Sequence, residues 1–482
     1  MLELKFVREN LHEVAAKLKK RGLDFDVRGF EGMDSERRQA ITEAEKLKAG
    51  KNDLSKKIGE LKKAKEDAGE LMDRVKLMGD EVTKAESRAA ELDEKLWEML
   101  KATPNLPHDS VPEGLSAEQN VKTKSWGTPP DFNFVPKPHW ELGEALGILD
   151  FERATKVTGA RFTFYKGLGA RLERALIQFM LDTQTLKNGY SEMWTPLMVN
   201  SESLYGTGQL PKFKEDLFKI QNAPARSTTG EIYAEALRRL RAERSSTQST
   251  PVEMDEDKKF IADFMRMQFQ LENLNDDKNA YYLIPTAEVP VTNYHRDETL
   301  DAAVLPLKYA AYTPCFRAEA GAYGRDTKGM VRQHQFNKVE LVKFCTPETS
   351  LDEHEKLTAD AESILEALEL PCQRMLLCAG DMGFGAMKCY DLEVYSAGQE
   401  KKWWECSSCS NFGDFQARRA NIKVKRADGK KELLHTLNGS GLATSRVFPA
   451  ILENNQQEDG SIIIPKVLRP YMGGLEKITR PA

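Results

Sequence analysis

The chain has 482 residues, of which 30% are charged, with a formal net charge of −5 and a mean hydropathy of −0.55. No apolar run approaches the roughly 18 residues a membrane-spanning helix needs, and the acidic balance excludes a uniformly basic nucleic-acid binder while leaving room for a local basic patch. This length allows two or three domains with ample core.

The N-terminus, MLELKFVRENLHEV, carries Glu3 and Glu9 early and has no apolar core segment. It fits neither a secretory signal nor a basic transit peptide, so a cytoplasmic location is the expectation. The seven cysteines are odd in number and lack a paired spacing framework, which fits a reducing compartment better than a disulfide scaffold.

From Ala40 to Leu61 the positions Ala40, Ala44, Leu47, Lys51, Leu54, Ile58 and Leu61 step by four and three. From Leu71 to Met99 the steps run through Val75, Met78, Val82, Ala85, Ala89, Leu92 and Leu96. Two long helices with heptad seams, joined by a polar turn near Glu66 to Glu70, predict an antiparallel coiled-coil hairpin over about 35–102. At about 30 residues per helix such an arm reaches roughly 45 Å. Between Lys46 and Lys65 eight lysines, including Lys48, Lys51, Lys56, Lys57, Lys62 and Lys63, face only Asp53 and Glu60. That stripe is either a solvated helix face or a track for phosphates.

Three prolines in ATPNLPHDSVP, Ala102 to Pro112, read as a linker and place a domain boundary near residue 115. The expected division is 1–115 and 116–482. Beyond the linker, alternating strands with scattered helices predict an α+β layer, an antiparallel sheet flanked by helices. The chain lacks the GxxxxGK[ST] loop and the strand-linked GxGxxG of other nucleotide folds. In the stretch 221–279, helices are expected at Glu231–Arg244 and Asp255–Leu274, the second with Phe260, Phe264, Met267, Leu271 and Leu274 on one face.

The segment CFRAEAGAYGRDTKGMVRQHQFNKVELVKF, Cys315 to Phe344, reads as two alternating arms around a glycine-rich charged loop. Alternation puts Phe336, Lys338, Glu340 and Val342 on one face of the second arm, and Arg317 and Glu319 on one face of the first. Charges on an inward sheet face cost several kcal/mol unless neutralised, on the order of buried-charge penalties. A phosphate-bearing ligand would do so, through Arg317, Arg325, Lys328 and Arg332, with Phe336 offering a face for a base. The alternative on composition alone is a salt-bridged surface hairpin.

Further on, GDMGFG, Gly380 to Gly385, reads as a tight turn. In YDLEVYS, alternation sets Asp391, Glu393 and Tyr395 on one face with Leu392 and Val394 behind. Cys406 and Cys409 form one CxxC with no second Cys or His pair, too little for a structural zinc site.

Four of these stretches together resemble a known family. FRAEAGAYGRDT with RQHQFNKVE is similar to motif 2 of class II aminoacyl-tRNA synthetases in the seryl form. LIPTAEVP resembles the seryl enzymes' amino-acid strand, YDLEVYS their metal and nucleotide strand, and TLNGSGLATSR, Thr436 to Arg446, their motif 3. Order and spacing agree, as does the tail VLRPYMGGLE, so the resemblance to bacterial-type seryl-tRNA synthetases covers most of the chain.

The resemblance implies activation of L-serine by ATP to seryl-adenylate and pyrophosphate, then transfer to the 3′ end of serine tRNA, with selenocysteine tRNA as an extension. It implies Arg317, Glu340 and Arg446 as catalytic residues, and Thr286, Ala287, Glu288, Arg317, Glu340, Asn438 and Ser440 as the serine pocket. ATP would meet Arg317, Ala318, Glu319, Arg332, Gln333, Phe336, Glu393, Val394, Tyr395, Ser396 and Arg446, with Mg²⁺ on Glu393 and Ser396. The basic arm would grip tRNA. The ECSSCSN segment would lie near the active site without binding metal. A homodimer is implied through a motif 1 placed at the helix Arg171–Leu186 and the strand ending at Pro196. The 221–279 stretch departs from the shorter connection of the resembled proteins and reads as a helical insertion.

Two other classes predict different residues. A serine-activating homologue that loads a carrier protein should lack the basic arm, which is present. A tRNA-binding paralogue without catalysis should have lost Arg317, Glu340, Glu393 or Arg446, and all four are in the chain.

Overall fold

The computed structural model describes residues 1–220, 280–320, 328–399 and 402–480. The expected helices at 231–244 and 255–274, and Arg325, lie outside the described residues.

Helices α1 (Leu4–Glu9) and α2 (Leu11–Lys20) lead into the long pair α3 (Val27–Ala64) and α4 (Gly69–Ala102). The Asp26 side chain accepts from the Gly29 N–H at 2.9 Å and caps α3. Lys65, at φ 64°, ends it in the left-handed region. The 38 residues of α3 extend about 57 Å at 1.5 Å per residue, longer than the sequence suggests because the helix begins at Val27, ahead of the start near residue 35 expected for the arm. Ala40, Ala44, Val82, Ala85, Leu92 and Leu96 are buried in the seam, while Leu54, Ile58 and Leu61 near the tip are only half-buried. Two helices can cover one stripe each and no more, so the tip is a reach while the core of this region sits at its base. There Val7, Val14, Leu18 and Phe30 pack against Leu96 and Leu100.

Two arginines, the half-buried Arg21 and the buried Arg419, fasten that base to the rest of the chain. Arg21 donates to the carbonyls of Asn105, Met382, Gly383 and Ala386. Arg419 donates to those of Tyr205, Leu210 and Lys101. Carbonyl oxygens here satisfy the terminal guanidinium nitrogens of both arginines.

Eight strands form the main sheet: β1 (Val121–Trp126), β2 (Ser191–Glu192), β3 (Leu307–Phe316), β4 (Gln335–Cys345), β5 (Cys372–Leu376), β6 (Lys388–Ser396), β7 (Lys402–Asn411) and β8 (His435–Ala443). Their spatial order is β1-β5-β6-β7-β8-β4-β3-β2, antiparallel throughout except for the parallel β2–β3 edge pair. One face is apolar. Val339, Leu341, Leu392, Val394, Leu437 and Leu442 from the strands pack there with α5 (Leu168–Asp182), α6 (Ser350–Ala367) and α7 (Thr444–Asn454), through Leu172, Leu176, Leu357, Ile364, Phe448 and Ile451. Period-two alternation then sends the polar residues of the same strands to the opposite face. A small sheet of Met198–Asn200, Tyr281–Leu283 and Lys219–Ile220 stands beside that polar face.

The helix read as Arg171–Leu186 runs as α5 from Leu168 to Asp182 and continues as a π-turn to Lys187.

Candidate functional site

The polar face holds a cleft of about 620 Å³. Its floor comes from the hairpin β3–β4, in which Gln335 faces Phe316 and Phe336 faces Cys315. The first arm of this hairpin is shorter than alternation predicts. It ends at Phe316, so Arg317 and Glu319 leave the ladder, and Glu319 takes φ +49°. Left-handed backbone is uncommon for a residue with a side chain and is held by its surroundings. The Ala318 N–H donates to the Asp216 carbonyl at 2.9 Å, and the Ala320 N–H to Asp216 Oδ1 at 3.0 Å. On the other arm the Arg317 N–H donates to the His334 carbonyl at 3.0 Å.

Of the residues expected from the sequence, Thr286, Glu288, Arg317, Glu319, Arg332, Asn438 and Ser440 line this cleft. An adjoining recess adds Gln333, Phe336 and Arg446 and shares Arg317, Glu319, Arg332 and Ser440. The Arg317 guanidinium lies 5.3 Å from the centre of the Phe336 ring, and Arg332 lies 3.6 Å from the Glu319 carboxylate. Arg446 projects from the start of α7 and donates to the Glu405 carbonyl at 3.3 Å; burial lowers its pKa. Ala287, expected in the serine pocket, is fully buried in a neighbouring apolar cluster, between Thr286 and Glu288.

Below the cleft is a dense polar network. Glu340, 1% exposed, forms an ion pair with Lys338 and accepts from Thr286 Oγ1 at 3.0 Å and Asn438 Nδ2 at 2.9 Å. Lys338 Nζ also donates to Thr286 Oγ1 at 2.8 Å. Glu288 accepts from Gln416 Nε2 at 2.6 Å, and Gln416 in turn accepts from Thr436 Oγ1 at 2.7 Å. Burial, and next the charge of Glu340, push the Glu288 carboxyl up from its ordinary 4.5 to about 7. This site is therefore poised to take a small polar cation-bearing molecule. Lys338 and Gln416 were missed as site residues. Alternation already put Lys338 on the face of Glu340, whereas Gln416 joins across 128 residues and leaves no local signal.

The strand expected to carry the metal lies differently from what the resemblance implies. Glu393, Val394, Tyr395 and Ser396 are not among the cleft-lining residues. Ser396 shares the parity of Leu392 and Val394, so it points to the rear face and donates to the buried Glu453 of α7. Glu393 faces forward, accepts from Gln373 Nε2, and pairs in register with Glu405. It is Glu405 and Ser408 of β7 that reach the cleft. They lie three apart, which regular alternation would place on opposite faces. A β-bulge resolves this: Leu392 pairs with Ser407 and Glu393 with Glu405, leaving Cys406 as the extra residue, buried with Cys409 in the rear core. Burial, and next Glu405, push the Asp391 carboxyl beside them well above its ordinary range.

Gly383, Phe384, Gly385 and Ala386 also line the cleft, so the GDMGFG stretch is a wall and not only a turn. On the arm, Lys57, Lys62 and Lys63 are exposed, and Lys56 is exposed beside Asp53 at 4.0 Å. Lys48 is paired with Glu86, and Lys51 lies half-buried in the seam against Gly79.

Among the described residues no group of three or more His, Cys, Asp and Glu side chains could by itself hold a metal ion, and no helix is long and apolar enough to cross a membrane.

The chain is similar to known proteins over nearly its whole length. The family model described as the seryl-tRNA synthetase N-terminal domain matches residues 1–107, and that of the class II tRNA synthetase core domain (G, H, P, S and T) matches 269–455. A serine--tRNA ligase of Acidobacterium capsulatum is 52% identical over 98% of this chain and 97% of its own. One of Pelotomaculum thermopropionicum is 49% identical over 99% of this chain and 100% of its own, so a chain of this length is not peculiar to this protein. The crystal structure of seryl-tRNA synthetase from Pyrococcus horikoshii complexed with ATP superposes with a TM-score of 0.84 at 33% identity, covering 100% of both chains.

Proposed function

We infer the chemistry of the cleft from the premise that this chain belongs to the seryl-tRNA synthetase family and acts as a serine--tRNA ligase with ATP as substrate. The observation that carries the residue-level reading is the meeting of Thr286, Glu288 and Ser440 with Arg317, Glu319 and Arg332 around one cleft.

Serine enters with its ammonium and hydroxyl between the carboxylates Glu288 and Glu340, with Thr286, Asn438 and Ser440 completing the polar wall. A site built to hydrogen-bond a hydroxyl rejects an analogue lacking it by roughly ten-thousand-fold or more, so alanine is a poor substrate. Adenine lies in the recess between Phe336 and Arg446, with Glu319 accepting from its amino group and Gln333 at its edge. The serine carboxylate attacks the α-phosphate in line, an O–P bond forms, and pyrophosphate leaves with the electron pair of the broken bond. Arg317 bridges carboxylate and α-phosphate, so position and charge carry the step and no protein base is needed. Arg332 and Arg446 hold the outer phosphates. In the second step the 3′-hydroxyl of the terminal tRNA adenosine attacks the seryl carbonyl, and AMP leaves.

Magnesium prefers few protein oxygens supplemented by phosphate oxygens. The donor set fits it: Glu405 and Ser408 face the cleft, beside the half-buried Asp391, whose carboxyl is pushed up by burial and next by the charge of Glu405. When bound, Mg²⁺ would neutralise phosphate charge from Glu405 and Ser408, in place of the pair Glu393 and Ser396.

The arm carries tRNA along Lys56, Lys57, Lys62 and Lys63, with Lys48 released from Glu86. Trp194 and Leu186, 89% and 80% exposed, stand by the edge strand β2 with the half-exposed Met198. An apolar patch at an open sheet edge favours association with a second copy, a homodimer. Trp194→Asp should shift the chain toward monomer in sedimentation; an unchanged dimer would place the interface elsewhere.

Single-turnover incubation of the full chain with ATP and labelled serine tests the reading. Isolation of enzyme-bound seryl-adenylate that is discharged by serine tRNA is expected. Adenylate formation unaffected by both Glu405→Ala and chelation of Mg²⁺ would overturn the metal assignment.

A further inference from the structure

The backbone at Glu319 is the one place in the cleft where a residue with a side chain adopts φ in the left-handed region among the described cleft-lining positions. Both peptide N–H groups flanking it, those of Ala318 and Ala320, are taken up by a single residue, Asp216. One bond is to the Asp216 carbonyl and the other to its carboxylate Oδ1, at 2.9 and 3.0 Å. Two donors two residues apart can be gathered by one acceptor residue only if the backbone between them turns sharply. The left-handed φ of Glu319 is that turn.

We propose that Asp216 is a positioning residue for base recognition: its carboxylate holds Ala320, and so fixes the turn that aims Glu319 into the adenine recess. This rests on the reading above that Glu319 accepts from the adenine amino group.

The placement of Asp216 supports the role. It lies in the short 3₁₀ turn Lys214–Asp216, itself lining the cleft. Three residues on, Lys219–Ile220 pairs with Tyr281–Leu283, the strand from which Thr286 and Glu288 depart, and the Leu283 N–H donates to the Phe218 carbonyl at 3.0 Å. The Phe316 N–H donates to the Ile284 carbonyl at 2.9 Å, one residue before Arg317. Asp216 therefore ties the nucleotide side of the cleft to the same small sheet that carries the amino-acid side. Glu319 is braced from its own side chain as well, by Arg332 at 3.6 Å, but that contact constrains the carboxylate and leaves the backbone turn to Asp216.

A role confined to stability would lower activity toward every nucleotide alike. A role in aiming Glu319 changes discrimination at the purine 6-position. The experiment is serine-dependent pyrophosphate exchange by the full chain with ATP and with inosine triphosphate, which carries a carbonyl where adenine has its amino group. Asp216→Ala should raise KM for ATP about tenfold, in line with loss of a charge-assisted hydrogen bond. It should compress the ATP-over-inosine preference by a similar factor while KM for serine stays within about twofold and the thermal midpoint is little changed. Asp216→Asn, which keeps an acceptor oxygen toward Ala320, should restore most of the preference. If Asp216→Ala does not fold, Asp216→Ser, whose side chain is too short to reach, reads the same loss.

Glu319→Ala separates the two layers. If it abolishes the preference while Asp216→Ala or Asp216→Ser leaves it intact, the positioning role is overturned and the adenine assignment stands. If Glu319→Ala itself leaves the preference intact, the adenine assignment falls and takes the positioning role with it.

Discussion

The arm and the cleft both spend their sequence on charge, and they do so in opposite ways. On the arm, Lys57, Lys62 and Lys63 point into water, and the ion pairs near them, such as Lys56 with Asp53 at 4.0 Å, are exposed. Each such charge acts nearly alone and is screened by salt, so its contribution is small and adds to its neighbours'. In the cleft, Lys338 and Glu340 are 5% and 1% exposed and share Thr286 as a common partner. Charges taken out of water there depend on one another, so removal of one member costs more than its own bond. On the proposed function, a surface that meets a polyanion is built from independent parts, and a site that places one carboxylate against one phosphorus from coupled ones.

The largest expected effect is on chemistry. Arg317→Ala should lower kcat/KM in serine-dependent pyrophosphate exchange about a thousandfold, the scale on which a preorganised charge-stabilising donor acts. A loss below about tenfold would say that Arg317 does not bridge the reacting groups.

Coupling is tested by a double-mutant cycle. Lys338→Met leaves Glu340 buried without its cation and should destabilise the fold by about 3–5 kcal/mol. Adding Glu340→Gln should recover most of that stability, read by denaturant midpoint, while the double variant remains inactive. Additive losses would contradict a coupled cleft.

A pH profile sharpens the same contrast. Glu288 titrates near 7 in the folded protein against an ordinary 4.5, so between these values the folded chain holds a proton that the unfolded chain has lost. Its contribution to stability is therefore greatest at low pH and falls as pH rises from about 4.5 through about 7. Serine binding runs the other way, because the ionised carboxylate is the form that meets an ammonium. KM for serine should fall about tenfold between pH 6 and 8, and Glu288→Gln should flatten the profile.

The smallest effects belong to the arm. Lys57→Ala, Lys62→Ala and Lys63→Ala should each weaken tRNA binding a few-fold and reduce the salt slope by about one, leaving pyrophosphate exchange untouched. A change in exchange would mean that the arm and the cleft are not separable.

What could be read in advance follows the same division. The arm's seam was legible residue by residue because a heptad pattern depends only on local spacing, and every expected seam position from Ala40 to Met99 is buried or half-buried. The face of β4 bearing Phe336, Lys338 and Glu340 was legible for the same reason, with period two in place of three and a half. Legibility failed where a backbone irregularity breaks the period. The ladder stops at Phe316, so Glu319 reaches the cleft by a left-handed turn held from Asp216, about a hundred residues away in sequence. Regular alternation sends Ser396 to the rear, and the bulge at Cys406 brings Glu405 and Ser408 to the front. In the ECSSCSN segment the CxxC spacing is the visible pattern, yet its cysteines fill the core while Glu405 and Ser408 face the cleft.

The most direct test of the central claim, that this cleft activates serine, is pyrophosphate exchange into ATP by the full chain across the twenty amino acids, with and without Mg²⁺. Exchange with serine alone, dependent on Mg²⁺, is the predicted result. Exchange with no amino acid, or with a different one, would contradict it.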